Sequence, residues 1–288
     1  MKVSIFTLVK NRTSQLKNLI HHLEQCSPLP DELNVIWMRS PNGLSLSKSE
    51  HFQINHKFIS HDSIPIAKAK NKGLTSASFP LIGHINVDML PPRDFIAKHT
   101  CKAKLGSITI PSLYIAIKEE SLYRGYDALT LDLSKNMLPC NLYQKYEDGL
   151  NRSLYFINRK DAEKSGGYDE ALEGTGVNDE DFFEKCIRMG LRIEKVHEAI
   201  FCQYRANYFC PLNHCLDFIH NASIFHKKWG YYPNLSILSK FVEYGVISSD
   251  FRQTGIHVKR MPTSEEINQS INLSLKGPLT KQPLEAAI

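Results

Sequence analysis

Three consecutive carboxylates, Asp179, Glu180 and Asp181, lie at the start of a predicted helix. They follow a glycine-rich loop, and the run 182–189 behind them has apolar residues at helical spacing. One or two acids at this position would cap a helix and complement its dipole. Three acids after two glycine-rich segments are more typical of a general base, or of a clamp on an acceptor hydroxyl, that a rigid helix presents. The pattern therefore predicts a proton-accepting site, with an acid-rich helix start as the structural alternative.

A second candidate site lies at the carboxyl end of the apolar strand predicted over residues 80–87. Asn86 and Asp88 stand there on either side of Val87. Ligands of open α/β sheets bind beyond this end of the strands. An acidic side chain in that place can hold a divalent cation that bridges the two phosphates of a nucleotide. The alternative is a strand-ending Asp that caps a turn.

Two basic segments precede that strand. Residues 67–73 read AKAKNKG, and residues 9–12 read VKNR directly after the first predicted strand. A basic helix start beside a nucleotide would supply cations and amide donors to its phosphates. Each segment also has an ordinary reading, as a solvated helix surface or as a polar loop between strand and helix. Taken alone, residues 67–73 fit the ordinary interpretation better, and the Asp88 turn that follows them favours the binding site.

These segments together resemble the motifs of galactosyltransferase-like glycosyltransferases with the GT-A fold, and of related bacterial family 2-type enzymes, over about residues 3–230. The resemblance rests on five segments that match, in order, the family's (F/Y)-R-N-R, A-R-N-x-G, D-x-D, GGFDE and G-W-G-x-E-D-x-D motifs: 9–12, 67–73, 86–88, 166–170 and 174–181. The end of a predicted helix, residues 221–230, also resembles the N-x-x-x-F-x-x-K-W-G ending of bacterial members.

The resemblance implies a role for each matched residue. Asp179 would be the catalytic base of an inverting reaction, and Asp181 a second acid that helps to bind the acceptor. The implied donor-binding residues are Lys10, Asn11, Arg12, Lys70, Asn71, Asn86 and Asp88. The implied acceptor-binding residues are Gly167, Tyr168, Asp169, Asn178 and Glu180. Asp88 would hold Mn²⁺ or Mg²⁺, with Cys202 and His197 as further candidate ligands.

The chain departs from the family pattern at several positions, five of which bear on the chemistry. Asn86 and Asn178 replace an Asp and a Glu, and Lys70 replaces an Arg. Thr175 replaces a Trp that stacks on sugar, so the acceptor should differ from that of the animal galactosyltransferases. Cys202 stands where a metal-binding His is usual, and a thiol is a soft ligand that prefers zinc. These changes keep open a protein that binds sugar-nucleotides or glycans without catalysis.

The elements that must position these residues alternate between strand and helix. Runs rich in β-branched and aromatic residues predict strands over 2–8, 33–38, 52–59 and 80–87. Apolar residues at helical spacing predict a helix capped by Thr13 or Ser14, and further helices over 66–77 and 215–229. Residues 192–204 predict a pair of strands, and the polar tail 263–288 a loosely attached or disordered arm. Residues 121–152 have no clear pattern and are expected to form substrate-facing loops.

This alternation predicts an α/β fold built from βαβ units, with a mixed, mostly parallel sheet flanked by helices. With the resemblance, it becomes a GT-A, Rossmann-like fold in a single large domain. We expect this domain over residues 1–230, with a nucleotide-binding half over about 1–92 and an acceptor half over about 93–230. A C-terminal helical extension and flexible tail would occupy residues 231–288.

Composition narrows the class of partners. The net charge of +5 over 288 residues suits an anionic nucleotide substrate or loose contact with an acidic membrane face. The basic residues are dispersed, which argues against nucleic-acid binding. No apolar run is long enough to span a bilayer. Seven cysteines without a CxxC pair suit a reducing cytosol. A zinc cluster of Cys202, Cys210, His214 and Cys215 is a minor alternative, because its spacing matches no standard zinc motif.

The sequence therefore predicts a cytoplasmic glycosyltransferase, either free or at the inner face of the membrane. Its partners would be a nucleotide-sugar donor, most simply a UDP-sugar, and a glycan or lipid-linked acceptor in polysaccharide biosynthesis. The non-catalytic binding protein of the same fold is the main alternative. A nucleotidyltransferase is a weaker one, since residues 9–12 contain none of the glycines of a phosphate-binding loop.

Overall fold

The structure is a computed structural model that describes residues 1–39, 41, 46–59, 64–117, 140–142, 150–203 and 210–276. Its strands are β1 Val3–Val9, β2 Glu32–Trp37, β3 Gln53–Phe58, β4 Leu81–Ile85, β5 Met89–Leu90, β6 Ser107–Ile117, β7 Cys140–Leu142, β8 Leu154–Asn158 and β9 Arg192–Cys202. Its helices are α1 Thr13–Glu24, α2 Ile66–Ser76, α3 Phe95–Lys102, α4 Arg159–Ser165, α5 Asn178–Arg188, α6 Cys215–Trp229, α7 Leu235–Glu243, α8 Phe251–Thr254 and α9 Ser264–Lys276.

The strands form one mixed sheet in the order β3-β2-β1-β4-β8-β6-β9-β5, and β7 pairs with β6. Strands β1 to β4 are parallel to one another, β8 runs antiparallel to both of its neighbours, and β6 and β9 are parallel. The chain moves outward from β1 to β3 and then returns to place β4 on the other side of β1. The order of the strands therefore reverses between β1 and β4, which is where open α/β sheets bind ligands.

Side chains alternate across the sheet and fill an apolar layer on each face. On β1, Ile5 packs into the layer that contains Leu16 and Leu19 of α1, whereas Phe6 packs into the opposite layer. That second layer also contains Phe182 of α5. Because the central strands are buried on both faces, they read as continuous apolar runs, and this pattern is what made β1, β2 and β4 predictable from sequence.

A third apolar cluster joins the C-terminal helices to the rest of the fold. Phe218 and Phe225 of α6 share it with Leu238 and Phe241 of α7, and Val177, which precedes α5, belongs to it as well. The cluster thus contains residues from both sides of position 230. The domain boundary placed there from sequence stays a prediction.

Three local expectations were wrong. Residues 192–202 form one long strand, because β9 pairs with β6 along its length from Ser107–Arg192 onward. Helix α1 has neither Thr13 nor Ser14 as its cap: its N-cap is Arg12, which has no side-chain capping bond. Part of the predicted loose tail is the helix α9, where Ser270 is buried and donates a hydrogen bond of 2.6 Å to the carbonyl of Cys210.

Two further expectations fall largely outside the described residues. Most of the unassigned segment, residues 121–139 and 143–149, is among them, and so are residues 277–288 of the tail. Within the part of the chain that the structure describes, no helix is both long and apolar enough to cross a bilayer.

Candidate functional site

The loop after β1 meets the turn after β4 at the point where the strand order reverses. Arg12 donates from Nε to Oδ1 of Asp88 at 2.9 Å, and its Nη2 donates to the same oxygen. The Asp88 side chain is 6% exposed and that of Arg12 is 28% exposed. A guanidinium on a nearly buried carboxylate forms a charge-assisted pair that fixes both side chains. The structure therefore brings together two predicted donor-binding residues from distant parts of the sequence.

The backbone around Asp88 is held from two sides. Oδ1 of Asn86 accepts a hydrogen bond of 3.2 Å from the Asp88 amide, and the Asp88 carbonyl accepts one of 2.7 Å from the amide of Gln203. Asn86 thus makes the turn that an Asn after a strand commonly makes. In the neighbouring loop Asn11 is exposed and has a φ of 55°, a left-handed conformation that Asn tolerates, and Lys10 is partly exposed.

The candidate metal ligands do not converge. Cys202 lies opposite Met89 in the sheet, is buried, and its Sγ donates to the Met89 sulfur at 3.3 Å. Burial, with a smaller contribution from Asp88, raises the pKa of the Cys202 thiol well above its ordinary value. His197 is exposed and five residues earlier on β9, about 16 Å away along an extended strand. Among the described residues there is no group of three or more His, Cys, Asp or Glu that could hold a metal.

A buried ion pair joins α2 to the start of α5. Lys70 Nζ donates to Oδ1 of Asp179, and the two side chains are 5% and 15% exposed. The same Asp179 oxygen accepts a 3.3 Å hydrogen bond from the Tyr168 hydroxyl, and Lys70 Nζ lies 4.9 Å from the centre of the Tyr168 ring. Tyr168 is 3% exposed and stacks on Phe182 at 4.2 Å, so it packs inside the protein and offers no open platform to a sugar.

The Tyr168 hydroxyl continues this network to Tyr155 on β8, at 3.0 Å. Burial raises the pKa of both phenols well above the ordinary value, with smaller contributions from nearby charged groups. Both hydroxyls are therefore neutral at physiological pH and donate or share protons in this network. Tyr155 also faces His84 of β4 with ring centres 5.2 Å apart, so the network reaches the same strand that ends near Asp88.

Asn71 holds the turn of the GGYDE segment. Its Nδ2 donates to the Tyr168 carbonyl at 3.0 Å and to Glu170 at 2.8 Å, and its Oδ1 accepts from the Tyr168 amide at 2.7 Å. Gly167 has a φ of 73°, and a Cβ there would lie 2.5 Å from Asn71 Oδ1. Asn71 and Gly167, predicted to bind donor and acceptor, thus contact each other and fix this turn.

Asp181 lies in a closed contact with the end of α6. Its side chain is 0% exposed, and its Oδ1 accepts hydrogen bonds of 2.8 Å from Trp229 Nε1 and 2.6 Å from Lys228 Nζ. Lys228 also donates to Asp169 at 2.9 Å. Burial by itself would raise the pKa of Asp169, but the hydrogen bonds from Lys228 and from the Ala171 amide outweigh it, so the pKa lies below its ordinary value.

The other two predicted acceptor residues also have partners within the protein. Asn178 is buried and its Nδ2 donates to the carbonyl of Leu172 at 2.8 Å. Glu180 is partly buried and accepts a hydrogen bond from Asn234, which lies just before α7. Burial, and then the neighbouring charge of Asp179, raises the pKa of the Glu180 carboxyl above its ordinary value.

Comparison with known proteins identifies the fold of this chain. No protein-family model matches the chain, and no curated protein matches its sequence. Among solved structures, residues 1–349 of S. aureus TarS superimpose with a TM-score of 0.51 at 11% identity, over 96% of this chain and 81% of that one. GalNAc-T7, solved with UDP, GalNAc and Mn²⁺, gives 0.51 at 14% identity, over 84% and 54%. The chain has the GT-A fold.

The catalytic domain of Drosophila β1,4-galactosyltransferase 7 also matches, with a TM-score of 0.44 and 13% identity, over 68% of this chain. This chain spans 65% of that domain, less than two thirds of its length. At identities of 11% and 14%, the superpositions with TM-scores of 0.51 show a shared fold alone, and the activity has to be argued from the residues.

In this GT-A fold, sequence reasoning missed the partners of the acidic residues. Lys228 and Trp229 contact Asp181, and the amide of Thr175 in the glycine loop donates to Asp217 at 3.1 Å. The K-W pair at the end of α6 was noted in the sequence only as the end of a predicted helix, residues 221–230. A buried Trp Nε1 requires an acceptor, and that requirement was the available signal.

Proposed function

We propose that the protein is an inverting glycosyltransferase that moves a sugar from a nucleotide-sugar, most simply a UDP-sugar, to a hydroxyl of a saccharide or lipid-linked acceptor. The observation on which this proposal depends is the placement of Asp179. Asp179 lies in the first turn of α5 in a GT-A fold. Its carboxylate forms an ion pair with Lys70, and its side chain remains 15% exposed. A neighbour in fold, GalNAc-T7 solved with UDP, GalNAc and Mn²⁺, supports glycosyl transfer as the chemistry.

Asp179 is the best placed base among the three acids at the start of α5. Asp181 is completely buried beneath Lys228 and Trp229, and we therefore assign it to positioning α5 and not to the reaction. Glu180 accepts a hydrogen bond from Asn234, and burial raises the pKa of its carboxyl above the ordinary value, which disfavours the ionised form that a base requires. Asp179 keeps a cation beside it, and an ionised carboxylate is the form that accepts a proton.

The transfer itself is a single displacement. The acceptor oxygen attacks the anomeric carbon as the bond from that carbon to the diphosphate breaks, and the electron pair of that bond leaves with the nucleoside diphosphate. Asp179 takes the proton of the acceptor hydroxyl. Because no covalent sugar–enzyme intermediate forms, the anomeric configuration inverts.

The donor would bind at the switch point between β1 and β4. Arg12 lies there with Lys10 and Asn11 beside it, and these side chains offer cations and hydrogen-bond donors to a diphosphate. Lys70 was expected to contact phosphate, but its amine is committed to Asp179, and we assign it to the base. The acceptor side is assigned to Asp169, Glu180 and the surface around them, since Tyr168 and Asn178 are buried.

The expected Mn²⁺ or Mg²⁺ is not part of this proposal. The described residues around Asp88 offer one carboxylate, which Arg12 already contacts, and a neutral buried thiol in Cys202. Hard cations of this kind prefer several oxygen ligands. These residues do not fit a site in which protein side chains coordinate Mn²⁺ or Mg²⁺. A lipid-linked acceptor and a location at the inner face of the membrane stay predictions.

The test is nucleotide release from a panel of UDP-, GDP-, CMP- and dTDP-sugars, with water as the default acceptor. We expect wild-type protein to release nucleotide from at least one donor, and Asp179→Asn to lower that rate by about 100-fold or more, in the range of a lost general base. Glu163→Gln, an exposed acid on α4, is the matched control and should leave the rate unchanged. Equal rates for wild type and Asp179→Asn would remove Asp179 from its role.

A protein that binds nucleotide-sugars without turning them over is the second candidate. It is favoured by the substitutions Asn86 and Asn178, both of which make structural hydrogen bonds in this fold. Donor binding without any nucleotide release, across the whole panel, would select it.

A further inference from the structure

We infer that Arg12 takes the place of a divalent cation in this protein, so that the donor diphosphate binds to a guanidinium–carboxylate pair without metal. This inference rests on the proposed function, because it concerns the donor site of the same reaction. It goes beyond that proposal by predicting that nucleotide binding is independent of divalent ions.

Arg12 and Asp88 are joined by two hydrogen bonds. Nε and Nη2 of Arg12 both donate to one oxygen, Oδ1 of Asp88. Asp88 is 6% exposed, so its charge is largely shielded from water and needs a compensating cation. Arg12 provides that cation from within the chain. A metal ion that approached Oδ1 would have to displace both of these hydrogen bonds.

The position of Arg12 is also fixed by the backbone. It is the N-cap of α1, and the Leu16 amide donates to its carbonyl at 3.0 Å. The preceding residue, Asn11, has the left-handed φ of 55° that turns the chain from β1 into this helix. The guanidinium is therefore presented at the strand-order switch by two rigid elements, and 28% of the side chain faces solvent.

The guanidinium suits a diphosphate. It carries five N–H groups in a planar fork of the kind that matches phosphate oxygens, of which one on Nε and one on Nη2 donate to Asp88, and it remains charged at every physiological pH. The N-terminal end of α1 adds positive potential in the same place. A nucleotide-sugar that binds here is not repelled by Asp88, because Arg12 compensates that charge, and its phosphates meet the guanidinium edge and the positive potential of the helix start.

The alternative ligands around Asp88 do not form a metal site. The Asn86 oxygen accepts from the Asp88 amide, and Asn86 brings no charge. Cys202 is a soft ligand that contacts the Met89 sulfur, and it is poorly suited to Mn²⁺ or Mg²⁺. The usual reason for a metal at this position, an uncompensated pair of acids, is absent from the described residues of this turn.

The experiment measures binding and not turnover. Thermal unfolding midpoints are recorded for the full chain with UDP, GDP and CDP, each in EDTA and in Mn²⁺, since a ligand that binds only the folded state raises the midpoint. We expect one nucleoside diphosphate to raise the midpoint of wild-type protein equally in EDTA and in Mn²⁺. Titration calorimetry with that nucleotide then gives the Kd under both conditions.

Variants of Arg12 and Asp88 distinguish nucleotide binding through the guanidinium from nucleotide binding through a metal ion. Arg12→Ala should weaken nucleotide binding in EDTA by about tenfold or more, the range of a lost charge-assisted contact, and Mn²⁺ should now restore part of it because Asp88 is uncovered. The double variant Arg12→Ala, Asp88→Asn should bind as weakly but without any response to Mn²⁺. Arg12→Lys should stay independent of metal and bind with intermediate affinity, because it keeps the charge and loses the fork. Lys17→Ala, an exposed residue of α1, is the control.

Each outcome decides a separate question. A shift in wild-type protein that requires Mn²⁺ would overturn this inference and leave the proposed function intact. The absence of a shift with every nucleotide in both conditions would overturn both. If Arg12→Ala unfolds without ligand, Arg12→Lys serves in its place, and a strict Mn²⁺ requirement in wild type still contradicts the inference.

Discussion

At the scale of single residues, the site is made of charges that compensate one another inside the fold. Arg12 with Asp88 and Lys70 with Asp179 are both cation–carboxylate pairs in which the carboxylate is largely shielded from water. Such pairs contribute little net stability while intact, but removing one partner leaves a costly uncompensated charge. Asp88 and Asp179 are two of the carboxylates that the sequence marked as chemical, and each depends on its cation partner.

The Lys70–Asp179 pair can be tested by a double-mutant cycle. Lys70→Met should lower the free energy of unfolding by about 3 kcal/mol, because it leaves the Asp179 carboxylate beside a neutral phenol in a nearly buried position. The double variant Lys70→Met, Asp179→Asn should lose less than the sum of the single changes. Urea unfolding measures all four proteins, with Lys72→Met, exposed on the same helix, expected within about 0.5 kcal/mol of wild type. Strict additivity would mean that the pair is not formed.

Glu180 gives the protein a pH dependence of predictable sign. Its pKa in the folded state lies above the ordinary value of 4.5, so between these two values the folded state binds more protons than the unfolded state. Its contribution to stability is therefore present below 4.5 and is lost as pH rises through the raised pKa. Glu180→Gln should remove this loss, so that the variant gains stability relative to wild type as pH increases above 4.5. Urea midpoints across that range, with Glu163→Gln as control, measure it; parallel curves would contradict the assignment.

At the scale of elements, the glycine loop before α5 is shaped by how closely it approaches α6. Gly174 has a φ of 65°, and a Cβ there would lie 2.2 Å from Asp217 Oδ2. The Thr175 amide donates to the same carboxylate, and Asn221 of α6 donates to the carbonyls of Glu173 and Gly176. The loop that positions the proposed base thus rests on a helix that follows it by some forty residues of sequence.

Substituting two glycines distinguishes the cost of a left-handed backbone from the cost of a steric clash. Gly174→Ala combines a left-handed backbone with a clash, whereas Gly230→Ala at the end of α6 has a φ of 84° with nothing within 4 Å of the new Cβ. We expect Gly230→Ala to cost about 1 kcal/mol, the price of a left-handed non-glycine residue, and Gly174→Ala to cost clearly more. Chemical unfolding of both variants is the measurement. Equal losses would show that Asp217 moves aside freely.

How much of the site could be predicted depends on how far apart in sequence the interacting residues lie. The strands β1, β2 and β4, the helix α6 and the acidic start of α5 are marked by local patterns, and the structure has them. The partners of the acids are set by contacts such as Lys70 with Asp179, which are 109 residues apart in sequence. No local pattern reports such a contact, which is why Tyr168 was expected at the acceptor and lies buried. The single long β9 was missed for the same reason, because its pairing with β6 fixes its length.

At the scale of the whole molecule, the third apolar cluster ties the C-terminal helices to the GT-A fold. Phe241 of α7 is completely buried against Phe218 of α6, and Val177 brings the start of α5 into the same cluster. Residues beyond 230 are therefore expected to unfold together with the rest, as in a single cooperative domain.

The two tryptophans report on this cooperativity from opposite ends. Trp37 is buried in β2, and Trp229 lies at the end of α6. In Trp229→Phe the remaining tryptophan is Trp37, so its fluorescence reports on the N-terminal half. In Trp37→Phe the remaining tryptophan is Trp229, so its fluorescence reports on the third apolar cluster. Within each variant, we expect the fluorescence and far-ultraviolet dichroism midpoints in urea to coincide. A fluorescence transition of Trp37→Phe that precedes its dichroism transition would mean that the C-terminal helices form a separate unit.

The central claim is inverting transfer from a nucleotide-sugar, and the anomeric configuration of the first product tests it most directly. Wild-type protein is incubated with the donor that releases nucleotide in the panel, and the anomeric proton of the sugar is followed by NMR before mutarotation. From an α-linked donor we expect the β-product first, and its formation should be lost in Asp179→Asn. An α-product, or no release of nucleotide from any donor, would contradict the account.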